Sequence, residues 1–235
     1  MDNVFLFRDQ LIEEYSSFSR SFVRIQAKDI RDEIADQYEA GRYWPEPLIQ
    51  INPNYQRKGT VQSLVQEGVL HPACAEIFQV GKTEGAPQPL HLYTHQLQAL
   101  AKGQDQKSFV VTTGTGSGKS LSFFIPIIDR ILKNKTTDTS PRTRAIIIYP
   151  MNALANSQLE ELDKFLHGYA PGQQPFTVKR YTGQENRSER QAIADNPPDI
   201  LLTNFMMLEL ILTRFDEDDR RVVEHCHGLE FLVLD

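Results

Sequence analysis

Apolar positions recur at helical spacing through "VFLFRDQLIEEYSSF" (4–18) and "AKDIRDEIADQYEAG" (27–41), and the second run stops at Gly41. Three prolines in "RYWPEPLIQINPNYQRKG" (42–59) predict an extended connector. A short helix is expected in "TVQSLVQEG" (60–68), with Thr60 as its cap and Gly68 as its stop. A softer boundary follows at "GKTEGAPQP" (81–89). From Leu90 short apolar, β-branched runs alternate with amphipathic ones. Strands are expected at "SFVVTT", "RAIIIYP", "FTVKRYT", "DILLTN" and "EFLVLD". The intervening helices are "KSLSFFIPIIDRILK", "ALANSQLEELDKFLH", "ENRSERQAIAD" and one from Phe205 to about His225. This order predicts an α/β fold, a parallel sheet covered by helices on both faces. Ligands should then meet the C-terminal ends of the strands. The division expected is a helical segment 1–85 followed by an α/β domain 86–235.

Composition narrows the class. With 40% hydrophobic and 24% charged residues the chain reads as globular. "DNVFLFRDQLIEEY" has no secretory pattern, and "LSFFIPIIDRIL" is too short and interrupted to span a bilayer. Cys74 and Cys226 are the two cysteines, which excludes a disulfide framework and fits a cytoplasmic protein with buried thiols. The net charge of −6 is uneven: residues 91–190 hold 13 basic and 8 acidic side chains, so the middle of the chain allows a polyanion partner.

The sharpest motif is "TTGTGSGKS" (112–120), after one expected strand and before a helix. Thr113 stands where a strict phosphate loop has its first glycine. Thr115, Gly116, Ser117 and Gly118 can turn backbone amides toward phosphates, Lys119 adds a point charge, and Ser120 offers a hydroxyl to Mg2+. "NKTTD" (134–138) is one residue too long for a guanine-reading NKxD motif, no transporter-type signature occurs, and about 110 residues precede the loop, unlike most small-molecule kinases. In "LYTHQLQAL" (92–100) the Gln96 amide has the donor and acceptor that suit adenine, and Tyr93 could pack near the base. The bland alternative makes Thr94 a helix cap and Gln96 a solvated residue of the first turn.

These strings resemble, in order, motifs of the superfamily-two DEAD/DEAH-box helicases. "LYTHQLQAL" is similar to the Q motif and "TTGTGSGKS" to motif I. "YPMNALANSQ" (149–158) is similar to motif Ia, and places Gln158 as in large bacterial MrfA-type helicases. "YTGQ" (181–184) is similar to the glycine-containing turn, "DILLTNFMMLE" to a PDILLTNPDML string with Phe205 in place of proline, and "FLVLD" to the first half of motif II. The leader "WPEPLIQINPNYQ" and "LVQEGVLHPACAEIF" resembles those of large bacterial helicases, including phage-defence ones. The resemblance implies a first RecA-like lobe of an ATP-dependent DNA helicase or translocase. Lys119 and Ser120 would hold phosphates and Mg2+, Asp235 would support the metal through water, and Gln96 would select ATP. It also implies a second RecA-like lobe as partner, together with other defence or repair proteins.

Pro150, Asn152, Gly183, Thr203 and Asn204 fall at turns after strands, where amides and hydroxyls could grip single- or double-stranded nucleic acid without reading its sequence. Asn152 is expected to cap the helix that follows, and takes the place of a basic residue in the related patterns. "EHCHG" (224–228) is read as a helix end rather than a metal site, and "DEDD" (216–219) as a dipole-favoured first turn. Polypeptide 1–235 holds neither a glutamate after Asp235 nor a second lobe, so it is expected to bind ATP with little hydrolysis. The rival reading is a stand-alone nucleotide- or nucleic-acid-binding regulatory module without turnover.

Overall fold

The N-terminal periodicity becomes α1 (Val4–Ser21), capped by the Asn3 side chain, and α2 (Lys28–Glu39), which ends just before Gly41 at φ +65°. The computed structural model describes residues 3–22, 24–42, 55–170 and 172–235. The chain divides into two compact units, Met1–Asn54 and Tyr55–Asp235. Neither α1 nor α2 buries a described residue, and Phe5, Leu6, Phe7, Tyr15 and Phe18 are exposed. Most of the expected proline-rich connector, residues 43–54, lies outside the described residues.

In the second unit β1 (Arg57–Thr60) pairs antiparallel with β4 (His91–Tyr93). Thr60 caps α3 (Val61–Gln66) by accepting from the Ser63 amide at 3.0 Å, and Gly68 at φ +73° follows the helix, both as its sequence requires. Then come α4 (Cys74–Ile77) and a two-strand hairpin of β2 (Gln79–Val80) and β3 (Gln88–Pro89). Val61, Leu70, Cys74, Ile77 and Phe78 are buried in one core with Phe124 and Ile128 from the α/β part. The two divisions therefore differ: a boundary at 85/86 would cut through a hairpin inside the second unit.

The sheet has four parallel strands in the order β6 (Val178–Tyr181), β7 (Ile200–Asn204), β5 (Ala145–Tyr149), β8 (Phe231–Leu234). β5 is buried at each position. Alternation splits its side chains between two cores. Ala145, Ile147 and Tyr149 join residues of α6 (Leu121–Lys135) and α7 (Asn152–Leu166). Ile146 and Ile148 join residues of α8 (Arg187–Asp195), α9 (Phe205–Thr213) and α10 (Glu217–Glu224). α5 (Thr94–Gln104) runs beside α6, where Gly103 leaves room: an added Cβ would lie 2.8 Å from Pro126 Cβ. No helix among the described residues is long and apolar enough to cross a membrane.

Two expectations need correction. "SFVVTT" forms no strand: Val110 is 88% exposed, and a cleft of about 640 Å³ separates residues 107–111 from β8. Its β-branched residues favour an extended chain, but a strand also needs a neighbour in hydrogen-bonding reach. The helix expected over 205–225 is two helices. Asp216 interrupts it by accepting from the Asp218 and Asp219 amides, so "DEDD" supplies both the cap and the acidic first turn of α10.

The N-terminal edge of the sheet is fastened by a buried ion pair. Arg144, 1% exposed, donates to Asp199 Oδ1 at 2.9 Å, while Asp199 Oδ2 accepts from Lys135 Nζ at 2.6 Å and from the Thr177 amide at 2.8 Å. Removing one member leaves a charge in a site built for two. Asp199→Ala is expected to cost roughly 3–5 kcal/mol in urea denaturation, and a loss comparable to an exposed pair would remove this fastening role.

Candidate nucleotide and nucleic-acid site

The glycines of "TTGTGSGKS" turn the chain between the extended segment and α6. Gly116 and Gly118 have φ of +75° and +69°, a region that side chains with a Cβ rarely adopt. An added Cβ at Gly118 would also lie 2.7 Å from Gln96 Nε2. The loop is folded on itself: Lys119 Nζ donates to the carbonyls of Thr113 at 2.9 Å and Gly114 at 3.2 Å, and the Thr113 and Ser117 hydroxyls are 2.6 Å apart. Ser117 is buried. Ser120 stands at the start of α6 with no side-chain capping bond, and Thr115 and Gly116 are exposed at the loop tip.

Helix α5 latches onto this loop. Gln96, 2% exposed, accepts from the Tyr93 amide at 2.8 Å and donates to the Gly118 carbonyl at 2.8 Å. One further donor and one further acceptor position remain on its amide. It is therefore a buried strut to the loop and not a solvated first-turn residue. His95 Nε2 lies 3.1 Å from the Ser117 carbonyl, and its ring stacks on Tyr93 at 5.8 Å between centroids. Tyr55 completes the aromatic group, 5.6 Å from Tyr93. Neither Tyr55 nor His95 stands out in the sequence. His95 could have been found as the neighbour of Gln96, whereas Tyr55 arrives through the β1–β4 pairing and has no local signal.

Asp235 follows β8, its amide donating to the Ile148 carbonyl at 3.0 Å. Lys119 and Asp235 line the same cleft. Two residues far apart in sequence, which the motif resemblance assigns to phosphate and metal, thus face one cleft.

A second group of residues lies at the ends of β5, β6 and β7. Asn152 is the first residue of α7 and does not cap it, which corrects the sequence expectation: no side chain caps α7, and the Asn152 carboxamide instead accepts from Asn204 Nδ2. Asn204 also donates to the Thr182 carbonyl at 3.1 Å and caps α9 through the Met207 amide at 2.6 Å. Phe205 is the first residue of α9, so the cap does the turning that a proline would do. Thr203 is fully buried, its hydroxyl donating to the Tyr181 carbonyl at 2.6 Å. Gly183, at φ +86°, forms an outward turn, and Pro150 is exposed.

Glu185 shapes that turn. It accepts from the Thr182 amide at 2.7 Å, the Gly183 amide at 3.1 Å and Arg180 Nε at 2.5 Å, and Arg180 reaches on to Asn156 of α7. Burial works to raise the Glu185 carboxyl, but the Thr182 amide and the Arg180 guanidinium outweigh it and hold it below its usual value of 4.5. Away from both groups, "EHCHG" closes α10: His225 Nε2 lies 2.9 Å from the Ala194 carbonyl and Cys226 Sγ 3.2 Å from that of Val222. Cys74 is buried and Cys226 partly so.

Residues 93–235 match the family described as DEAD/DEAH box helicase. The chain belongs to that family. Among relatives, it is 45% identical over 76 residues to Druantia protein DruE of Escherichia coli (strain UMEA 4076-1), covering 30% of this chain and 4% of that protein. It is 32% identical over 144 residues to the uncharacterized ATP-dependent helicase YprA of Bacillus subtilis (strain 168), covering 61% and 18%. Its fold is similar to that of the DUF1998 helicase MrfA bound to DNA, with TM-score 0.55 and 22% identity over 77% of this chain and 21% of that one. The chain thus spans less than a fifth of these curated relatives. Its fold is that of a RecA-like helicase lobe.

A carboxylate held down in this way contributes stability at pH values above its unfolded-state pKa and loses it as pH falls through the lowered folded-state value. Glu185→Gln should therefore be less stable than the parent at neutral pH, and the difference should close as pH falls from the ordinary glutamate range through the lowered folded-state value. A difference independent of pH, by denaturation across the range, would contradict the ionised role of Glu185.

Proposed function

We propose that this DEAD/DEAH box helicase chain is the ATP- and nucleic-acid-binding lobe of a DNA-directed helicase or translocase, working with a second RecA-like lobe. The observation that carries the reading is the convergence of Lys119 and Asp235 on one cleft beside the glycine turn and Gln96. Relatives that include an ATP-dependent helicase, and a fold like that of a helicase bound to DNA, support it.

The donor set fits Mg2+ and a nucleotide phosphate chain. A hydroxyl at Ser120 and a carboxylate at Asp235 are hard oxygen ligands, and Mg2+ keeps several waters through which a carboxylate can act. Magnesium there would neutralise charge on the phosphates. Phosphates would draw Lys119 away from the Thr113 and Gly114 carbonyls, trading two neutral acceptors for charged ones. The remaining amide positions of Gln96, next to Tyr93, would face adenine.

At the other strand ends the side chains of Thr203, Asn204 and Asn152 are already engaged. A nucleic-acid backbone would meet the uncapped start of α7, the Gly183 turn and the exposed Pro150. Such contacts grip phosphate without reading bases.

ATP should bind in preference to GTP in calorimetry, and Lys119→Ala should weaken it at least about tenfold, the loss of a charge-assisted contact. Equal affinity for ATP and GTP, or unchanged binding by a folded Lys119→Ala protein, would refute the assignment. Single-stranded DNA should bind more tightly than RNA of the same sequence, with affinity declining as salt rises. A binding constant insensitive to ionic strength would rule out the phosphate grip, and a preference for RNA would overturn the DNA assignment.

A further inference from the structure

Tyr149 closes the central strand β5 and is fully buried, yet its hydroxyl has no hydrogen-bond partner among the described residues. A buried, unsatisfied hydroxyl is disfavoured, and in folded proteins most such groups find a partner. Its place in the sheet shows where one can come from. Ile148 pairs with Leu234, and the Asp235 amide donates to the Ile148 carbonyl, so the register carries on to set Tyr149 beside Asp235.

The side chains of the two residues share a face. Ala145, Ile147 and Tyr149 face the core that contains α6, and Phe231 and Val233 pack against the same core. Asp235 continues that alternation. Residues directly opposite on neighbouring strands are close enough for their side chains to interact. A tyrosine hydroxyl carries a proton at neutral pH and can donate it to a carboxylate.

We propose that Tyr149 is a positioning residue of the metal site: its hydroxyl donates to the Asp235 carboxylate when that carboxylate engages magnesium, holding it over the phosphate loop. The proposal rests on the reading of Asp235 as the magnesium-supporting carboxylate. It gives the hydroxyl no partner in the nucleotide-free state and one in the metal-bound state, so binding and stability should respond in opposite senses when it is removed.

The test uses residues 1–235 and ADP, with either Mg2+ or a chelator, and needs no turnover. Tyr149→Phe removes only the oxygen. In the absence of nucleotide it should melt at or above the parent's temperature, since an unsatisfied group has gone. Its affinity for ADP with Mg2+ should fall about tenfold, the scale of a hydrogen bond to a charged group, with the loss confined to the magnesium-dependent part of binding. In an Asp235→Asn background the same change should add nothing. A Tyr149→Phe protein with parental magnesium dependence, an equal loss in chelator, or an additive loss with Asp235→Asn would overturn the proposal while leaving the Asp235 reading in place. Parental ADP binding that ignores Mg2+ would overturn that reading and this inference together.

Discussion

The pairing of β5 with a parallel strand on each side is the constraint on which the rest depends. Its backbone is held by β7 and β8, and each of its five positions is buried, so it has almost no freedom to shift. A slip of one residue would exchange Ile146 and Ile148 for Ala145, Ile147 and Tyr149 between two cores already filled. Since the strands run in one direction, their C-terminal ends form a single edge. Pro150 and Asn152, Thr203 and Asn204, and Asp235 lie on that edge because the register puts them there. The Arg144–Asp199 pair locks the opposite end, so the register is fixed there by groups outside the proposed binding edge.

Across that edge two kinds of order meet. The nucleotide side is a loop whose cation is held by its own carbonyls and whose glycine turn is braced by Gln96 and His95. Those interactions are neutral acceptors around a charge, and a phosphate chain can outcompete them. The other side is braced by the Asn152 and Asn204 carboxamides, which bond to each other, and by the buried Glu185, which is spent on the Thr182 and Gly183 amides and Arg180. One side is built to rearrange and the other to stay.

How much of this could be read from the sequence depends on how local each cause is. The helices over 4–21, 28–39 and 61–66 follow from periodicity and caps a few residues long, and the four sheet strands from short runs rich in apolar residues, β-branched most densely in β5. Lys119 and Asp235 stand out in the sequence by type and motif order, whereas their sharing of one cleft is a tertiary fact. "SFVVTT" failed because a strand is a relation between segments. The break at Asp216 was hidden because acidic residues suit both a helix start and a continuous helix's polar face. Asn152 was misread because its partner is Asn204, which lies 52 positions away in the chain. Tyr55 and Tyr149 gave no signal: one depends on an antiparallel pairing and the other on a cross-strand neighbour.

The bond between Asn204 and Asn152 bears on what kind of contact this face can make. If Asn152 capped α7 with its own side chain, the first-turn amides would be satisfied and the dipole end partly covered. Instead Asn204 draws that carboxamide sideways, and the helix begins without a side-chain cap. The same bond removes two carboxamides from the set that could read base edges, and Thr203 is turned inward as well. What remains at this edge is the start of α7, the Gly183 turn and Pro150, beside the exposed apolar side chains of Met151, Phe205 and Met206. Amides and helix ends recognise phosphate geometry and are indifferent to base identity. On the proposed reading, a lobe that holds successive stretches of one strand equally well would need that indifference, and the internal hydrogen bonds of Asn152, Asn204 and Thr203 would supply it by occupying side chains capable of specificity.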